Sequence, residues 1–131
     1  MAGRKESVAL LDTHILVWLY AGLTEKLTKK AKGAIEAYDL AVSHFSRLEL
    51  QYLFEIKRIT AKPATILKSH EKLINLKIHD CDLGKIIDAS LKIGWTRDVF
   101  DRLIVAEATA FGYRLITADK HIKKHFKQSI W

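Results

Sequence analysis

The sequence predicts an α/β protein, an α/β/α sandwich around a mostly parallel central sheet of about five strands, and three observations lead there. The short apolar runs at Val8 to Leu11, Leu40 to Ser43 and Arg114 to Thr117 show little polar alternation, as strands buried on both faces require. Segments with helical spacing separate these runs. No repeat, Gly/Ser-rich linker or low-complexity tract breaks the alternation, which is the pattern of strands joined through helices.

Taken in order, Val8-Ala9-Leu10-Leu11 is a first strand that ends at Asp12. Ile15, Leu16, Trp18 and Leu19 follow at helical spacing as far as Gly22, a C-terminal stop. Thr24 is expected to open a second helix with Leu27, Ala31, Ile35 and Tyr38 on one side. Leu40-Ala41-Val42-Ser43 is a second strand, leading into a helix from about Ser46 to Lys57 that carries Glu49. Pro63 suits a first helical position, with Ile66, Leu67, His70, Leu73 and Ile74 on one face and Asn75 at the end. Leu76 to His79 is a short, weak strand. Asp82 then caps a helix expected to point Leu83, Ile86, Ile87 and Leu91 inward and to leave at Gly94. Asp98 to Phe111 is a largely buried helix closed by Gly112. The strand Arg114 to Thr117 delivers the chain to Asp119, and a short basic helix and an edge segment, Ser129 to Trp131, complete it.

Size and composition bound the function. The 131 residues suit one domain, 1–131, with about residues 1–7 as a polar N-terminal extension. No apolar stretch approaches the ~20 residues of a membrane span, and Met1 to Ser7 lacks the apolar core of a secretory signal. The cytoplasm is the expected location. Cys81, the single cysteine, excludes an internal disulfide and reads as a packing residue. A net charge of +7 favours anionic partners, nucleic acid foremost.

The acids carry the chemistry, although each has a structural explanation. Asp12, Asp98 and Asp119 precede helices and could be N-caps, Ser46-Arg47-Leu48-Glu49 has the form of a capping box, and Asp101 in a first turn complements the helix dipole. Those explanations do not account for carboxylates delivered by the ends of the first, second and last strong strands to one edge of the sheet, where open α/β sheets bind ligands. Clustered like charges call for protonation or a cation, and an oxygen-only donor set suits a hard divalent ion, Mg2+ or Mn2+. Zinc is disfavoured, since His121 and His125, spaced four apart, lie among Lys120, Lys123 and Lys124 and read as a solvated face. A metal on a basic protein without a Gly-rich phosphate loop points to phosphodiester hydrolysis by activated water. No Ser-His-Asp arrangement or reactive-cysteine context supports covalent catalysis.

At these residues the chain resembles the PIN-domain ribonucleases, in particular the VapC-type toxins of toxin–antitoxin pairs. The matching segments are Leu10 to His14, Val42-Ser43 with Leu48-Glu49-Leu50, Arg97 to Ala106 and Leu115 to Asp119, in family order and spacing. The resemblance implies a PIN-like sandwich, an endoribonuclease, and the quartet Asp12, Glu49, Asp101 and Asp119 as metal-binding or water-activating residues. It adds Asp98 as an extra ligand, a water-mediated contact or a cap. Thr13 and Thr117 are implied to support the acids, or else to be ordinary strand-end polar residues. Arg97 and Arg102 would touch RNA phosphates or pair with Asp98. Val99 stands where relatives commonly have Pro, and Glu55 rivals Glu49 as the second acid. The family further implies an RNA substrate, a cognate antitoxin and a homodimer. Two alternatives stay open: a catalytically silent scaffold of the same fold that binds RNA or protein, and a magnesium-binding phospho-receiver. The receiver would need an adjacent acidic pair near the first strand, and Asp12 is followed by Thr13.

Overall fold

A computed structural model describes residues 7–131; the expected N-terminal extension therefore lies almost wholly outside the described residues. Five strands, β1 (Val8–Leu11), β2 (Asp39–Ser43), β3 (Lys77–His79), β4 (Arg114–Ile116) and β5 (Ser129–Ile130), form one sheet in the order β3-β2-β1-β4-β5. Every pairing is parallel, with Leu10 beside Ala41 on one side and Leu115 on the other. Seven α-helices connect and cover the strands: α1 (Thr13–Tyr20), α2 (Lys29–Ala37), α3 (His44–Glu55), α4 (Pro63–Ile74), α5 (Leu83–Ser90), α6 (Val99–Phe111) and α7 (Lys120–His125).

The continuous apolar strands have a direct cause. Side chains alternate across a strand, and here both faces are buried. Ala9, Leu11, Leu40, Val42, Ile116 and Ile130 pack into one core with Ile15, Leu16, Ala31, Leu50 and Ile66. Leu10, Ala41 and Leu115 pack into the other with Ile86, Ile104, Val105, Ala108 and Ile122. Helices α1 to α4 therefore cover one face and α5 to α7 the other. Asn75 and Gly112 end α4 and α6 in the left-handed conformation expected of those residues there.

Several boundaries differ from expectation. The second helix does not begin at Thr24: residues Thr24–Lys26 form a single 3-10 turn, and α2 starts at Lys29, where Thr28 accepts from the Ala31 amide. The expected capping box at Ser46 is absent, because α3 starts at His44 and Ser43 caps it. Ser46 is instead buried within the helix, and its hydroxyl lacks a partner among the described residues. The inward face expected for α5 is only partly inward. Ile86 is buried, whereas Leu83 and Leu91 are 57% and 72% exposed, because α5 packs mainly against α6 and that neighbour does not cover the whole apolar stripe. Leu73 of α4 is likewise exposed.

Candidate active site

The chain leaves β1 toward β2 and β3, then returns past β1 to place β4 on its other side. The connections out of β1 and β4 thus diverge, opening a crevice beyond their carboxyl ends. Asp12 follows β1 directly, and its amide still donates to the Ile116 carbonyl of β4 at 3.0 Å. Its side chain is buried and caps α1, accepting from the Thr13 amide at 2.8 Å through Oδ1. Oδ2 accepts from the Thr117 hydroxyl at 2.6 Å. Thr117, also buried, lies just past β4, and its Oγ1 accepts from the Asp119 amide at 3.0 Å. One threonine thereby links the acids that end two neighbouring strands.

The other carboxylates come from helices. Glu49 lies on α3, which packs against α1, and it accepts a short hydrogen bond from the Thr13 hydroxyl. Asp98 caps α6, accepting from the Asp101 amide at 3.0 Å, so the cap orients the first turn that carries Asp101. Asp119 caps α7 through the Ile122 amide at 2.9 Å. The N-cap roles of Asp12, Asp98 and Asp119 are real, then, and they coexist with convergence on one crevice.

Electrostatics reveals that convergence. Burial pushes the Asp101 carboxyl up to about 7, helped by the charges of Asp98, Asp12, Asp119 and Glu49. Burial also raises Asp12, against the hydrogen bonds from Thr117 and Thr13, and Asp119 adds to the rise. Glu49 is raised by burial, with Asp12 and Asp98 contributing. No Lys or Arg forms an ion pair with any of the five acids among the described residues. Carboxylates that repel one another and lack a cationic partner call for protonation or a cation, although among the described residues their oxygens do not form a preassembled group of three donors within 4.8 Å of one another.

The PIN domain model matches residues 9–127. The chain belongs to the PIN-domain family. Among relatives, ribonuclease VapC22 of Mycobacterium tuberculosis is 30% identical over 125 residues, covering 91% of this chain and 92% of that protein. Two solved structures share the fold at 22% identity. One is VapBC2 of Rickettsia felis bound to a promoter DNA fragment, with a TM-score of 0.60 and coverage of 89% of this chain and 92% of that one. The other is a toxin–antitoxin complex of Klebsiella pneumoniae, with a TM-score of 0.63 and coverage of 94% and 96%.

On this PIN fold the residues singled out in the sequence divide cleanly. Asp12, Glu49, Asp98, Asp101 and Asp119 share one electrostatic neighbourhood, and Thr13 and Thr117 hydrogen-bond to two of them. Glu55 lies at the last turn of α3 and accepts from Gln51, away from that group. Arg102 does not pair with Asp98; its Nε donates to the Ser90 carbonyl at 2.9 Å and ties α6 to α5. Arg97 is exposed beside Asp98, without an ion pair among the described residues. The His121 and His125 pair is exposed as expected, yet it also has a packing role. His125 stacks on Trp95 at 4.9 Å, and Nε2 of His121 lies 2.7 Å from the Trp95 carbonyl.

Two residues escaped the sequence reading. His14, exposed in the first turn of α1, lies close enough to the Asp12 and Glu49 carboxyls to oppose the rise that burial causes in them. Its position directly after Asp12-Thr13 was the available signal. Glu107 is buried in α6, where Ser43 donates to Oε1 at 2.7 Å and Nδ1 of His79 lies 2.6 Å from Oε2. Helical spacing places it inward among Ile104, Val105 and Ala108, a signal that a charged residue there must have partners.

Proposed function

We propose that this protein is a metal-dependent endoribonuclease, the toxin of a toxin–antitoxin pair, hydrolysing RNA phosphodiester bonds with Mg2+ or Mn2+. The observation that carries this function is the gathering of five carboxylates, without a Lys or Arg ion pair among the described residues, at the strand switch point of a +7 protein. Similarity to a protein named a ribonuclease, over nine-tenths of both chains, supports RNA as the substrate. Asp12, Glu49, Asp101 and Asp119 would hold the cation, and Asp98, which accepts from the Asp101 amide, would orient Asp101 while adding to the negative field. When bound, the cation supplies Lewis-acid activation of water and neutralises charge on the scissile phosphate.

The chain's own residues set the geometry. Thr117 and the Thr13 amide fix the two oxygens of Asp12, and the Thr13 hydroxyl aims Glu49, so two acids enter the crevice without searching rotamers. Arg97, exposed next to Asp98, would meet RNA phosphates in this reading. Purified protein with Mg2+ or Mn2+ should cleave RNA, and Asp12→Asn or Asp101→Asn should not. Undiminished cleavage by both variants would sink the assignment of the site.

Residues 1–131 act as a single cytoplasmic domain in this proposal; no helix among the described residues is long and apolar enough to cross a membrane. An antitoxin is the expected protein partner, since two structures of the same fold are described as VapBC2 and as a toxin–antitoxin complex. A groove of about 960 Å3, walled by Leu48, Pro63, Leu67 and Ile78 together with Arg47, Lys62, Lys68 and Lys77, would suit an antitoxin segment with apolar and acidic side chains. A homodimer would cover the exposed stripe Leu83, Ile87 and Leu91 on α5. Light scattering after gel filtration tests it, and Leu91→Lys should shift a dimer toward monomer.

A further inference from the structure

We propose a second metal site on this chain, formed by His79, Cys81 and Glu107 and suited to a zinc-class transition-metal ion. His79 ends β3, Cys81 follows two residues later, and Glu107 projects from the middle of α6. One donor atom from each lies within 4.8 Å of the others. A tetrahedral ion with bonds of about 2.0 Å to nitrogen or oxygen and about 2.3 Å to sulfur needs these donors about 3.3 to 3.5 Å apart. That spacing falls between the 2.6 Å separating His79 from Glu107 and the span of the whole group.

The surroundings are those of a built site. Ser43 donates to Oε1 of Glu107 and leaves Oε2 toward His79, the arrangement by which an outer hydroxyl orients a carboxylate ligand. The His79 ring is held edge-on by Phe111 at 4.8 Å and Tyr113 at 5.0 Å. Glu107 is buried, while His79 and Cys81 are partly exposed, so an ion can reach the buried oxygen from solvent. Burial raises the Cys81 thiol, aided by the charges of Glu107, Asp80 and Asp82, a negative field that a cation would reverse. On ion entry the thiol releases its proton to solvent. The imidazole would keep at most one proton, on Nε2, and release any other to solvent, so that the Nδ1 lone pair could face the ion.

The site is separate from the acid crevice. It sits at the β2–β3 side of the sheet, whereas Asp12 and Asp119 lie at β1 and β4. Asp101 and Glu107 are six residues apart on α6, about 9 Å along its axis. Thiolate and imidazole donors also select a different ion class from an oxygen-only pocket. The proposal holds whether or not the acids cleave RNA.

Cobalt titration tests it, because Cys81 is the sole cysteine of the chain and any thiolate-to-cobalt charge-transfer band must come from it. The wild-type chain should develop this near-ultraviolet band, saturating at one equivalent and bleached by Zn2+. Cys81→Ser should abolish the band with circular dichroism and RNA cleavage unchanged, and Asp12→Asn should keep it. In the Asp12→Asn background, Ser43→Ala should weaken Zn2+ binding about tenfold or more. Cobalt uptake without the thiolate band, or Zn2+ affinity in the Asp12→Asn background that Cys81→Ser leaves unchanged, would overturn the proposal.

Discussion

Asp12 and Glu107 are both buried carboxylates near the carboxyl ends of parallel strands, yet one sits among other acids and the other beside a histidine. Around Asp12 the fold supplies hydroxyl and amide donors but no Lys or Arg ion pair among the described residues, and Asp119, Glu49 and Asp101 act on it through their charges. Around Glu107 it supplies a hydroxyl on one oxygen and an imidazole on the other. The same topology thus produces one pocket of crowded acids without a Lys or Arg ion pair and another in which a single carboxylate is divided between a hydroxyl and an imidazole. The difference teaches that donor type sets the ligand: an oxygen-only group of acids calls for a hard cation, and a mixed imidazole, thiol and carboxylate group for a softer one.

The comparison can be broken most sharply at the acid crevice. Asp101→Asn should lower RNA cleavage by at least about a hundredfold, as expected when transition-state charge loses its support. The same variant should raise the stability of the metal-free protein in urea, because it removes a repulsive charge. Loss of stability together with loss of cleavage would mean that Asp101 is structural. At the other pocket the signs reverse. Glu107→Ala should cost about 2 to 4 kcal/mol in urea unfolding by stranding Ser43 and His79 and leaving a cavity. Glu107→Gln, which keeps acceptor capacity, should cost about 1 kcal/mol.

A pH titration separates the two regions without mutation. The folded Asp101 carboxyl stands at about 7 against an ordinary value of 3.8, so the folded state holds its proton more tightly. Its contribution to stability is full below 3.8 and is lost as pH rises through about 7. Discounted for partial exposure, the fall is about 1 to 2 kcal/mol in metal-free wild-type protein, and Asp101→Asn should flatten it. Saturating Mn2+ should oppose the fall, and a wild-type curve parallel to that of Asp101→Asn would contradict the crowding.

Much of this was legible in the sequence. The strand-terminal acids were visible because Asp12 and Asp119 follow short apolar runs, and a parallel sheet sends both ends to one edge. Asp98 and Asp101 were visible as a cap and a first-turn acid. The role of Glu49 was harder, since the Ser46-x-x-Glu49 spacing suggests a capping box; only the packing of α3 on α1 shows that Thr13 takes the carboxylate. The His79, Cys81 and Glu107 grouping was not legible at all, because it joins β3 to a helix on the far side of a long connection. Helical periodicity overstated the buried face of α5, since period reports an apolar stripe but not whether a neighbour covers all of it.

Two smaller effects sharpen the account of the crevice. Thr13→Val should reduce cleavage about tenfold by freeing Glu49 to turn away, with unfolding stability nearly unchanged. Equal losses in Thr13→Val and Thr13→Ser would show that shape, not the hydroxyl, matters there. Arg97→Ala should weaken RNA binding modestly and reduce the salt dependence by about one counterion, leaving sequence preference intact.

The hydrogen bond from Thr117 to Asp12 joins residues 105 positions apart. During synthesis the first acid leaves the ribosome long before the residues that complete its surroundings, because nascent chains emerge amino end first. A growing chain therefore carries Asp12 without the Thr117 hydroxyl that fixes its Oδ2. In the proposed ribonuclease the late arrival of Thr117 and Asp119 would act as a delay: the blade would be assembled only after most of the message encoding it had been read.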